Sequence, residues 1–148
     1  MASATVRGLK AKSDTAWGEL MRQVEGMEPY LERADAPGEW TAREVLSHLL
    51  FEPGTDMVAF LKSFALKDLP VKEVEPGSTY LDARRERMRL EDFVDALDAQ
   101  RRGIFDYLDS LADADLERKA RIPLFKTFMG TDEIAIPVFV GAMFDYHW

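Results

Sequence analysis

The residues best suited to chemistry in this chain are its two histidines, His48 and His147. Imidazole is a common ligand for zinc, nickel or iron(II) inside helical bundles. A metal held between helices needs inward-facing donors from different helices, and these two histidines fall in different helical stretches. On helical spacing, His48 lies one turn after Glu44 and one before Glu52, at the edge of an apolar stripe through Val45 and Leu49. His147 lies in an almost wholly apolar run, two residues after Asp145. The alternative for each is a hydrogen-bonded histidine at the core or the surface, with no metal.

Carboxylates near His48 could serve as a further ligand or orient a histidine. Glu44 is better explained as part of a helix cap, and Asp56 as the start of a helix after the Pro53-Gly54 break. Glu52 is then the remaining candidate. Asp145 could orient a histidine, or it could point to solvent. Arg84, Arg85, Arg87 and Arg89 form a basic cluster. It could take an anionic substrate through paired contacts, but a solvated helix face paired with nearby acids is the simpler expectation. Ser47 adjoins His48, yet neighbouring helix residues do not face each other, so a serine hydrolase arrangement fails on geometry. There is no phosphate-cradling glycine loop, zincin motif or nucleophile elbow.

Four helical stretches would position these groups. The first covers roughly residues 5–26, with Val6, Leu9, Trp17, Leu20, Met21 and Val24 along one face and Gly26 as its stop. The second opens on Thr41-Ala42-Arg43-Glu44, a capping box, with Trp40 and Val45 at the staple positions. Val45, Leu46, Leu49 and Leu50 form its stripe. It breaks or kinks at Pro53-Gly54 and resumes through Met57, Phe60, Leu61 and Phe64. Residues 68–79 read as a loop, and a short helix is expected over 80–88. The third long helix covers roughly 90–111, carrying Phe93, Leu97, Ile104, Leu108 and Leu111, with Asp98 and Arg102 as an outer pair. Residues 112–136 read as a turn followed by a strand or loop. The fourth helix starts near Pro137, where proline suits the first turn, and runs to the chain end. The expected fold is all-α, an antiparallel four-helix bundle in one domain over residues 1–148.

Composition narrows the chemistry further. A chain of 148 residues can bury about 68–70% of its unfolded surface and needs no covalent staple. With no cysteine, disulfides, thiolate ligands and a cysteine nucleophile are excluded. Any thiol chemistry must use a thiol brought by a cosubstrate. A net charge of −8 disfavours direct nucleic-acid binding. The N-terminus lacks a signal-peptide core and no window reads as a membrane span, so a cytoplasmic protein is expected.

The stretch Trp40-Thr41-Ala42-Arg43-Glu44-Val45-Leu46-Ser47-His48-Leu49 resembles the start of the second helix of DinB/YfiT-like proteins. That family shows a Trp, a capping Ser or Thr, and a His-Leu pair after a short apolar run. The order of the downstream elements is also similar. The resemblance implies a four-helix bundle holding a divalent metal through three histidines, one on the second helix and two spaced four apart on the last. His48 matches the first. His147 matches the earlier of the final pair in one register, and its partner then falls beyond Trp148. In another register, Phe144 and Trp148 stand where the ligands should be. The triad is incomplete in both, as in a chain cut short within its last helix or in a member that has lost its metal. The resemblance further implies a thiol-dependent transferase or isomerase acting on a small molecule in detoxification or stress. Its cofactor would be zinc, nickel or iron, with a low-molecular-weight thiol as cosubstrate. The competing expectation is a non-catalytic bundle that binds a small apolar ligand or another subunit, with a homodimer as one form.

Overall fold

The computed structural model describes residues 4–65 and 78–144. The fold is mostly helical, with one small two-stranded sheet. Helix α1 spans Ala4–Val24, and Gly26 follows in the left-handed region at φ 74°. Val6, Leu9 and Val24 face inward, as their spacing predicts. So does Ser13, which shares that face one turn beyond Leu9.

The second helical stretch is two helices. Helix α2 covers Ala42–Leu49 and α3 covers Met57–Lys62, the latter running into a 3-10 turn at Ser63–Ala65. Pro53 and Gly54 therefore separate two helices and do not merely kink one. The helix expected over 80–88 is reduced to a single 3-10 turn at Arg85–Arg87. The long helix α4 spans Leu90–Asp109 and buries Phe93, Leu97, Ile104, Phe105 and Leu108. Its start is fixed by the Asp92 carboxylate, which accepts the Arg89 amide at 2.8 Å.

Residues 112–136 hold more structure than their sequence suggests. A one-turn helix α5 (Asp113–Leu116) leads into strand β1 (Lys119–Arg121). A 3-10 turn at Pro123–Phe125 and helix α6 (Lys126–Met129) follow, and the chain returns as β2 (Glu133–Ala135). The strands pair antiparallel, with Ala120 opposite Ile134. Both of those residues point into the core, while Lys119, Arg121 and Glu133 stay exposed. Helix α7 (Ile136–Ala142) then begins with Pro137 in its first turn.

Helix α4 is the spine, packing against α1, α2 and α3, while α1 also packs against α7. Two apolar clusters lie along it. One gathers Val6, Leu61, Phe64, Ile104, Leu108, the hairpin residues Ala120, Ile122 and Ile134, and α7. The other joins Val24, Leu31, Leu46, Leu49, Met88, Phe93 and Leu97. The second cluster holds Leu46 and Leu49, the buried apolar residues of α2 on either side of His48 in sequence. Among the described residues, no helix is long and apolar enough to cross a membrane.

Candidate functional site

The site is built at the two ends of α2. At the N-terminus the expected capping box forms: the Thr41 hydroxyl accepts the Glu44 amide at 3.1 Å, and the Glu44 carboxylate accepts the Thr41 amide at 3.0 Å. The remaining first-turn amides go to the preceding segment. Ala42 donates to the Arg33 carbonyl at 3.2 Å and Arg43 to the Leu31 carbonyl at 2.9 Å. Those donors have no partner inside the helix, so each outside bond satisfies a group that burial would otherwise penalise.

Helix α2 turns an unexpected face inward. Arg43, Leu46, Ser47 and Leu49 are buried, whereas Val45, expected in the apolar stripe, is 43% exposed. Arg43 pairs with Glu32 and sends Nη1 to the carbonyls of Arg85, at 2.9 Å, and Met88, at 2.5 Å. Its guanidinium also lies over the Phe93 ring. Helical spacing puts Arg43, Leu46, Ser47 and Leu50 on one face at i, i+3, i+4 and i+7, but with two polar members that face carried no apolar signal.

His48 sits half-buried on the next face. Its Nδ1 lies 2.5 Å from the Ser78 carbonyl. A carbonyl can only accept, so Nδ1 carries the proton and the lone pair of the neutral ring is on Nε2. The Tyr80 ring runs parallel to the imidazole, 6.1 Å between centroids and 4° between planes. Trp40 meets it at 5.1 Å and 60°. Neither Ser78 nor Tyr80 was identifiable as a partner from sequence, because Ser78, near the end of the expected loop, and Tyr80, just after it, meet α2 only in the folded chain.

The C-terminal end of α2 overturns the expected role of Glu52. The helix stops at Leu49, and Phe51 adopts φ 64°. Glu52 is therefore not one helical turn from His48 on a shared face; it is exposed in the turn before Pro53. Asp56 caps α3, accepting from the amides of Val58 at 3.0 Å and Ala59 at 3.2 Å.

The basic cluster separates into different environments. Arg84, Arg87 and Arg89 are exposed, and Arg89 pairs with Glu28. Arg85 departs from the expected solvated face, being only 5% exposed. Its Nη1 approaches the Ser47 carbonyl and hydroxyl and the carbonyls of Phe51 and Tyr80. Burial pushes its pKa down from the ordinary arginine value, with Asp82 opposing that shift and Arg84 adding to it. The position of the cation at the C-terminal end of α2 suits the partial negative charge gathered there.

His147 and Asp145 lie outside the described residues. Phe144, a ligand position in one register of the resemblance, is buried and stacks on Phe105 with 5.9 Å between centroids. Among the described residues, no group of three or more histidines and carboxylates is placed to hold a metal ion. Of the histidines that the resemblance implies as ligands, His48 alone lies among the described residues. No protein-family model, curated protein or solved structure matches the chain.

Proposed function

We propose that this chain is a divalent-metal-binding four-helix bundle of the DinB/YfiT-like type, with His48 as a ligand on α2. The observation that carries the proposal is the bond from His48 Nδ1–H to the Ser78 carbonyl at 2.5 Å. Metal-ligating histidines ordinarily donate the other ring N–H to a carbonyl or carboxylate, which fixes the tautomer and raises the basicity of the ligating nitrogen. The lone pair on Nε2 suits zinc, nickel or iron(II). The resemblance of residues 40–49 to the family's second helix supports the same residue. His147 is the proposed ligand from the last helix.

When bound, the metal would lower the pKa of a low-molecular-weight thiol and present it as a thiolate to an electrophile. The chain contributes the orientation of His48, held by Ser78, Trp40 and Tyr80. It also brings no cysteine of its own to compete for the metal. On this reading the protein is a cytoplasmic S-transferase acting on a small molecule in detoxification or stress.

One observation favours a second reading, a non-catalytic bundle that binds a small apolar ligand or another copy of the chain. Trp40, Tyr80 and the Ser78 carbonyl all engage the His48 ring, and a purely structural histidine is packed in the same way. Metal content per chain, measured by elemental mass spectrometry on the natural-length protein and on His48→Ala, separates the two. Stoichiometric metal in the wild type and little in the variant is the expected result. Negligible metal in both after exposure to saturating zinc and nickel would sink the first reading. The second then predicts that an apolar ligand raises the melting temperature and that chelators leave it unchanged.

A further inference from the structure

We propose that Arg85 is the positioning residue of His48, setting its tautomer through the backbone on both sides of the His48–Ser78 hydrogen bond. Arg85 Nη1 lies 2.5 Å from the Phe51 carbonyl, 3.0 Å from the Ser47 carbonyl, 3.2 Å from the Ser47 hydroxyl and 3.3 Å from the Tyr80 carbonyl. Two N–H bonds serve four oxygens, so the contacts are shared.

The placement of those oxygens matters. Ser47 directly precedes His48. Phe51 donates its amide to the His48 carbonyl at 3.1 Å. Tyr80 stands two residues after Ser78, whose carbonyl accepts from His48 Nδ1. One guanidinium thus holds the donor's backbone and the acceptor's backbone together. Residues 78–80 have no helix or strand of their own. Their local support includes the Tyr80 amide on the Ser78 hydroxyl at 3.3 Å and the Leu81 amide on the Thr79 hydroxyl at 3.4 Å.

Strain points the same way. Phe51 and Tyr80 are the two non-glycine residues with positive φ among the described residues, at 64° and 55°. An aromatic residue persists there only where its surroundings over-determine the backbone. Arg85 bonds the carbonyls of both. The two strained positions, one just past the end of α2 and one two residues after Ser78, are therefore pinned by one side chain.

The functional meaning of this inference rests on His48 as a metal ligand, but the tautomer can be read without metal. The experiment is nitrogen-15 NMR of the imidazoles in the metal-free full chain, as wild type, Arg85→Lys and Arg85→Met. His48→Gln assigns the signal, and thermal melts establish folding. The wild type is expected in the Nδ1–H form. Folded Arg85→Met should show a mixture or the Nε2–H form, and Arg85→Lys should recover most of the wild-type signal. Zinc titration should then show affinity about 10–100-fold weaker in Arg85→Met. A folded Arg85→Met with the wild-type tautomer overturns the proposal. Failure of both variants to fold also overturns it, by making Arg85 a residue of the fold as a whole. A shifted tautomer, with wild type that binds no zinc, supports the positioning role and removes the metal reading alone.

Discussion

Arg43 donates through Nη1 to the backbone carbonyl of Arg85, 2.9 Å away and 42 residues along the chain. The side chain of Arg85 returns to α2 at Ser47, one turn beyond Arg43. The two arginines form a reciprocal clasp: each holds the backbone of the other's segment. Helix α2 and the chain around Arg85–Arg87 are thereby locked into one unit on the Leu46, Leu49 and Phe93 platform.

Arg43→Met keeps the apolar stem and removes the donors. The Met88 carbonyl then loses its donor at a buried site, and the Arg85 carbonyl keeps only the Met88 amide at 3.3 Å. The expected cost is about 1–3 kcal/mol, chiefly from the Met88 acceptor left unsatisfied. Urea denaturation should show a lower midpoint with an unchanged slope. An unchanged midpoint would mean that these carbonyls find other donors.

Thr41→Ala removes one half of the capping box. The Glu44 amide loses its acceptor and α2 loses about 0.5–2 kcal/mol. Because α2 carries His48, its amide exchange should also quicken more than that of α4. Uniform quickening across both helices would place the cap in the global rather than the local stability.

Adjacent positions on α2 should respond in opposite ways. Leu46 is 3% exposed and Val45 43%. Leu46→Ala is expected to cost about 2–5 kcal/mol, from lost transfer energy and the cavity left behind. Val45→Thr should stay within about 0.5 kcal/mol of wild type. Thermal melts of the two variants decide it, and a costly Val45→Thr would show that α2 turns a different face to the core.

Tyr107 gives a pH prediction. Burial foremost, and Asp115 with it, raise its hydroxyl above the ordinary 10.0, against Arg118. A group whose folded pKa is raised contributes stability that is complete below its unfolded value and fades as pH climbs through the folded one. Above about pH 10, the melting temperature of the wild type should therefore fall faster than that of Tyr107→Phe, which cannot ionise. Parallel declines would show that Tyr107 ionises alike in the folded and unfolded chains.

Features that arise within one stretch of chain could be read from the order of residues alone. The capping box at Thr41 and Glu44, the N-cap at Asp56, the apolar face of α4 and the first-turn Pro137 all depend on neighbours a few residues away. Periodicity and cap chemistry report such neighbours directly. His48 was legible as a residue, because its place after the cap is local. Its surroundings were not. The Ser78 carbonyl, the Tyr80 ring and the Arg85 guanidinium reach α2 only after the chain has folded back over it. Glu52 was misplaced for a related reason. Helical spacing assumes that the helix continues, and the left-handed Phe51 ends it, held by a cation from another segment. The exposure of Val45 and the burial of Arg43 were likewise decided by tertiary structure. Helical spacing names the residues that share a face, but only the neighbours packed against α2 decide which face is covered. A buried arginine is stable there because carbonyl oxygens from elsewhere in the fold accept its N–H hydrogen bonds.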